Sequence, residues 1–332
     1  MRDADALRPT FSAGAGAAAD LATRRFLFVT GKGGVGKTTV SAALALGMAA
    51  RGRRVLVAMC HTKERLSSLL GTPPIGPDVV SVAERVWAVN IDPDQALREY
   101  GELVLRAKSL VKVVFDNRYV KTFFRATPGL YEWSMLGKAW FHTTEKLDDG
   151  SNRFDVVLLD APATGHGLDM LRVPKVILDV VPPGVLRRDA EAAWAMFRDP
   201  ARSGVVVVTL PEEMPAQETI ELVGGIRDEL GLPIAKLIVN GVVPPLFTPA
   251  ERAELLKDPS LLDPSAPARA AGTTSSALVA GARRAIRESV QAECLARLRR
   301  ELPLSTVELP FLFAGAGEPA GTRTLAAALS AG

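Results

Sequence analysis

Gly31-Lys32-Gly33-Gly34-Val35-Gly36-Lys37-Thr38-Thr39 lies between an apolar run, Phe26-Leu27-Phe28-Val29-Thr30, and a small, alanine-rich amphipathic stretch from Val40 to Ala50. That order predicts a strand, a glycine loop and a helix N-terminus, the context in which a backbone cradles phosphate. Glycines let successive N–H groups turn inward toward phosphate oxygens. The helix that follows adds the positive end of its dipole to the same anion. In such a loop the Lys37 ammonium reaches the β- and γ-phosphates, and the Thr38 hydroxyl ligates Mg²⁺. Residues 31–39 thus imply that the chain binds a nucleoside triphosphate with Mg²⁺.

Outward from the loop, the chain alternates buried strands with helices. Arg53 to Met59 reads as a second strand, followed by the loop Cys60 to Arg65 and a short helix through Leu70. A third strand, Arg85 to Ile91, stops at Asp92-Pro93; proline cannot donate to a sheet ladder and suits the first turn of a helix. Phe154 to Asp160 is a strand that ends in an aspartate. A carboxylate there, beside a phosphate loop, is placed for the Mg²⁺ shell, which makes Asp160 a metal-site candidate with Thr38. Gly165 in the next loop allows a response to the γ-phosphate. Val205 to Leu210, Ile234 to Asn240 and Ser305 to Leu309 are further strands. Helices are expected over Pro215–Leu230, Leu278–Leu302 and Thr322–Leu329, and a surface loop over Glu251–Ser276. The pattern predicts an α/β fold, a doubly wound and mainly parallel sheet. Asn240, an amide at a strand end, suits the edge of a purine.

Two long helical stretches, about 95–147 and 176–199, have no strand candidates and read as insertions forming a helical subdomain of one domain spanning 24–332. Their apolar residues, among them Trp133, Trp140, Phe141, Trp194 and Phe197, allow two readings. They form plain core, or they line a groove for an apolar helix of a client or partner protein. Residues 1–23, rich in alanine and glycine, read as a flexible tail.

Composition narrows the class. A chain of 332 residues with 48% hydrophobic content can bury a large core. A net charge of +3 with no long basic block argues against a nucleic-acid partner. Two cysteines, Cys60 and Cys294, offer no metal-ligand spacing. With no apolar run of membrane-spanning length and no leader pattern, a cytoplasmic protein without an integral membrane segment is expected.

These motifs resemble the arsenite-pump and tail-anchored-protein-targeting ATPases, a family of deviant P-loop proteins. The resemblance runs from about Arg24 to Phe313. It is carried by residues 31–39, by Asp160-Ala161-Pro162-Ala163-Thr164-Gly165-His166, by Met170 to Pro174, by Val208 to Pro215 and by Val239-Asn240. It implies that Lys32 reaches across a two-fold interface to the partner's nucleotide, in a homodimer or a heterodimer with a paralogue. It also implies that Asn240 contacts adenine, that Glu213 lies on the nucleoside side and that Pro310 or Phe311 flanks the base. Family members carry an aspartate in the first switch to orient the attacking water, where this chain has His61. An imidazole nitrogen can accept a hydrogen bond from water and has a reference pKa near 6.5, so slow, pH-sensitive hydrolysis is expected. The alternative is a polar loop residue without a chemical role. The family's cysteine clusters for metalloid or zinc are not reproduced, so a metalloid-pump role is not expected. Catch and release of a protein client is one implied output; a nucleotide-gated scaffold with little hydrolysis is the other.

Overall fold

The computed structural model describes residues 17–60, 64–105, 129–162, 167–257 and 273–330. Eight strands form one sheet: β1 (Phe26–Thr30), β2 (Val55–Cys60), β3 (Val80–Ala83), β4 (Val86–Ile91), β5 (Val156–Asp160), β6 (Ser203–Thr209), β7 (Ile234–Val242) and β8 (Thr306–Pro310). Their order is β3-β4-β2-β5-β1-β6-β7-β8. Every neighbouring pair is parallel except β3–β4. Every residue of β1, β2, β5 and β6 is buried. This explains why these strands read as unbroken apolar runs: a parallel sheet covered on both faces leaves no side for polar alternation.

The order sends the chain from β1 to β2 past β5, and from β5 to β6 past β1. The C-terminal ends of β1, β2, β5, β6 and β7 therefore share one rim, where ligands of such sheets are held. One face of the sheet, with Leu27, Val29, Val57, Leu158 and Val206, packs on Val40, Leu44 and Met48 of α2 (Lys37–Ala49). The other, with Phe26, Phe28, Leu159 and Val207, packs on Trp133 and Leu136, Met170 and Leu171, and Met196 and Phe197. These come from α5 (Leu130–Phe141), α6 (Gly167–Val180) and α7 (Val185–Arg198).

Several expectations are corrected. The described part of the expected tail is not loose. Residues 17–21 form α1, which packs on α2 and on α11 (Pro319–Ser330). Ala17, Ala18, Leu21 and Ala22 are buried, and Asp20 pairs with Lys236 at 3.2 Å. Small side chains made the segment look structureless in sequence, yet their smallness is what permits close helix approach. The edge strand β3 was not expected; it is antiparallel and half exposed, so its apolar pattern is weak. The supposed loop after Glu251 begins as a short helix, α9 (Pro249–Leu255), with a capping box between Thr248 and Glu251. The long helix α10 (Thr273–Glu301) starts earlier than expected. The helix over 215–230 is α8 (Glu213–Gly224), which closes in a π-helical turn at Gly225–Glu229.

In the first insertion, α4 (Pro93–Leu105) precedes and α5 follows a stretch, 106–128, outside the described residues. Trp133, Leu136 and Ala139 join the core below the sheet. Both readings of the insertion have a counterpart, because a cleft of about 680 Å³ also lies between these helices. It is lined by Ala96, Tyr100, Trp133, Trp140, Phe141 and Val185, among others. The Tyr100 hydroxyl donates to Asp189 at 3.2 Å, tying α4 to α7.

Beyond β7, α10 is bolted to the sheet rim by a buried glutamate. Glu288 accepts from Leu246 N at 2.8 Å and Phe247 N at 3.4 Å and pairs with Arg284 at 2.7 Å and Arg252 at 3.5 Å. Burial alone would raise its pKa; the Arg284 bond and the two backbone donors outweigh it and hold Glu288 below the ordinary glutamate value. A depressed carboxylate stabilises the fold above the unfolded pKa of about 4.5 and loses that contribution as pH falls through its folded value. Glu288→Gln should therefore cost about 2 kcal/mol near neutral pH. Urea titrations should show the gap to the parent narrowing below about pH 4.5; a gap that stays constant into acid would remove the charge from this account.

Candidate functional site

The glycine loop leaves β1 at Gly31 (φ +147°), where a Cβ would lie 2.1 Å from the Val208 carbonyl oxygen of β6. The loop re-enters helix at Gly36, the α2 N-cap, with φ +90°. A Cβ at Gly36 would meet Asn240 Nδ2 at 2.3 Å. Asn240 Nδ2 donates to the Val35 carbonyl at 3.0 Å, so β7 braces the loop from the side. Glycine is needed at both points because backbone and amide come closer than any side chain allows.

Lys37 is buried, and its ammonium turns back over the loop to donate to Gly31 O and Lys32 O, each at 2.9 Å. Burial lowers its pKa, with Asp160 acting in the opposite direction. Thr38 Oγ1 donates to Asp160 Oδ2 at 2.7 Å, and Ser41 Oγ donates to Asp160 Oδ1 at 3.1 Å. Asp160 is 3% exposed. Burial pushes it up to about 6, against the pull of the two hydroxyls and Lys37. The structure thus brings Lys37, Thr38 and Asp160 together. Ser41 was missed, although its place three residues after Thr38 on a helix puts both hydroxyls on one face.

Hard oxygen ligands around a buried carboxylate are the kind that a small divalent cation takes. Thr38 and Asp160 are the residues that would hold Mg²⁺. Among the described residues no group of three or more His, Cys, Asp or Glu side chains could hold a metal by itself. Cys60 and Cys294 are both buried free thiols, and burial followed by the Asp160 charge pushes the Cys60 pKa up.

The remaining candidates are dispersed. Lys32 is partly exposed and pairs with Glu218 of α8 at 3.6 Å. His61 and His166 lie outside the described residues. Glu213 opens α8 and is exposed, and Pro310 ends β8 half-buried. Neither lines the cavity at the ends of β6 and β7, which is walled by Pro211, Glu212, Gly241, Arg287, Val290 and Gln291. Phe311 lies beside it, beneath the Arg287 guanidinium. His142 is buried at the end of α5, its Nδ1 2.6 Å from Glu145 Oε2, and serves as a packed histidine away from the loop. No described helix is long and apolar enough to cross a membrane.

Residues 24–182 match the model of a family described as anion-transporting ATPase. The ATPase BagA of Mycobacterium tuberculosis (strain H37Rv) is 31% identical over 236 residues, covering 69% of this chain and 68% of the relative. The arsenical pump-driving ATPase of Escherichia coli is 29% identical over 241 residues, covering 66% of this chain and 40% of that protein. That of Acidiphilium multivorum is 28% identical, with the same shares.

Proposed function

The chain belongs to the anion-transporting ATPase family, and from that premise we propose that it is a Mg²⁺-ATP-dependent ATPase acting as a dimer of identical or paralogous subunits, whose nucleotide state governs capture and release of a protein client. The observation that carries this reading is the Thr38–Asp160 hydrogen bond. It joins a buried, charge-bearing strand end to the first turn of the loop helix, with the Lys37 ammonium alongside. Buried carboxylates with a shifted pKa beside a cation concentrate at functional sites.

The loop N–H groups and the α2 N-terminus bind the phosphates, and Lys37 orients the transferred group. Mg²⁺, when bound, offsets charge on the phosphate oxygens. His61 accepts a hydrogen bond from the attacking water through a neutral imidazole nitrogen, and Lys32 of the partner subunit stabilises charge on the leaving side. With no permanent carboxylate charge at position 61, turnover is slow and falls as the imidazole protonates. The segment after Asp160, which holds Gly165, leads into α6, and α6 packs on both α5 and α7. The cleft of about 680 Å³ is walled by α4, α5 and α7, so α6, packed on two of its walls, is the element through which a shift at the γ-phosphate reaches it. A client with an apolar helix fits the aromatic lining. The arsenical pump-driving ATPases among the relatives are more than twice as long as the segment matched, and with both cysteines of this chain buried a metalloid has no soft ligand set here.

Steady-state ATPase rates with Mg²⁺ test this reading, with mass followed by light scattering. We expect ATP-dependent doubling of mass, and a loss of turnover of about 10-fold or more in Lys32→Ala and in His61→Ala. Unchanged turnover in His61→Ala would discard the role given to that histidine. Tight ATP binding by a parent chain that never turns over would favour the scaffold reading, for which the replacement of the usual switch aspartate by His61 already speaks.

A further inference from the structure

The long helix α10 is fixed to the sheet rim by side chains spaced i, i+4 and i+7, namely Arg284, Glu288 and Gln291. Gln291 accepts from Val243 N and donates to Val243 O, both at 2.8 Å. Glu288 holds the backbone of Leu246 and Phe247 as described above. The segment so held follows directly on Asn240-Gly241 at the end of β7. The helix therefore cannot slide over this rim without breaking buried hydrogen bonds.

Arg287 projects from the same part of α10. It is solvent-exposed, and its guanidinium carbon lies 4.8 Å from the centre of the Phe311 ring. Phe311 is itself anchored, its N–H donating to Val242 O at 2.8 Å. Arg287 also lines the cavity of about 280 Å³ with Pro211 and Glu212 beyond β6, Gly241 of β7, and Val290 and Gln291. This cavity lies on the β6–β7 side of the phosphate loop, the side from which Asn240 touches Val35. The cavity is within reach of that loop, because Asn240, which braces Val35, is followed directly by Gly241 of the cavity lining.

We infer that Arg287 is a base-contacting residue. Its planar guanidinium, resting on Phe311, forms the outer wall of the nucleoside cavity and stacks on the purine ring, favouring purine over pyrimidine triphosphates. The inference rests on the reading of residues 31–39 as the triphosphate site. Its chemistry is general: a delocalised, weakly hydrated cation stacks on aromatic faces, and a larger π-face gains more. Lysine, with a compact ammonium, cannot present the same plane.

Calorimetric titration with Mg²⁺-ATP, Mg²⁺-CTP and Mg²⁺-tripolyphosphate separates the base from the phosphates. Arg287→Ala and Arg287→Lys are each expected to weaken ATP binding about 10-fold and to close most of the gap between ATP and CTP. Both should leave tripolyphosphate within about twofold of the parent. Unchanged ATP affinity in Arg287→Ala, or an equal loss for ATP and tripolyphosphate, overturns the inference. A parent chain that binds neither ATP nor tripolyphosphate sinks the triphosphate site itself. ATP binding that disappears in Lys37→Ala but persists unchanged in Arg287→Ala sinks the base contact alone.

Discussion

Lys37→Ala is expected to weaken ATP binding at least about 100-fold, some 2.7 kcal/mol, while leaving the fold intact. The Lys37 ammonium is buried inside its own loop, donating to the carbonyls of Gly31 and Lys32. Those two bonds hold the charge where phosphate oxygens would arrive and keep it from being hydrated elsewhere. Burial opposes the charged form, as the lowered pKa shows, so the side chain contributes little to stability by itself. Its removal costs the fold two hydrogen bonds and relieves one desolvated charge, leaving a net change of about 1 kcal/mol or less. Fluorescent-nucleotide titration beside a urea melt checks both halves. A variant that is stable and still binds ATP like the parent would show that residues 31–39 are an ordinary glycine turn. Lys37→Arg is expected to fail as well, because a planar fork does not fit a point-charge position.

Gly31→Ala carries the largest expected effect on stability. Its Cβ would lie 2.1 Å from the Val208 carbonyl oxygen. That oxygen belongs to the backbone of β6, whose residues pair with β1 on one side and β7 on the other. A strand fixed on both sides cannot yield by the ångström or more required, and φ +147° is itself closed to alanine. A cost of roughly 4 kcal/mol follows, seen as a fall in Tm of about 10 °C for a domain of this size. Gly34→Ala is the matched control. It also has positive φ, yet nothing lies within 4 Å of its Cβ position, so the cost is the backbone conformation alone, about 1 kcal/mol. Equal melting of the two variants would show that the contact between the loop and β6 is not rigid.

These two positions also show how much of the site could be read from the chain. Lys37, Thr38 and Asp160 were legible because each is fixed by a local rule: loop spacing for the first two, a strand end for the third. The Thr38–Asp160 bond joins two of them across 122 residues of sequence. Ser41 shares the carboxylate and was available from helical spacing. Arg287 was not legible. Nothing local distinguishes it from the other arginines of α10, and its place over Phe311 depends on Glu288 and Gln291 fixing the helix to a different part of the chain. The same holds for Glu212, which lines the cavity at the ends of β6 and β7 where its neighbour Glu213 does not.

The sequence by itself determined the sheet and the phosphate loop, because unbroken apolar runs and a glycine-rich turn at a helix start leave few physical alternatives. Only the tertiary structure decided the packing of α1, the edge strand β3, and the cleft between the inserted helices. It also decided the in-chain pairing of Lys32 with Glu218. Each of these depends on surfaces contributed by segments far apart in the chain. Alanine-rich helices, short half-exposed strands and surface charges acquire their meaning from what they pack against, and periodicity within a segment does not record its neighbours.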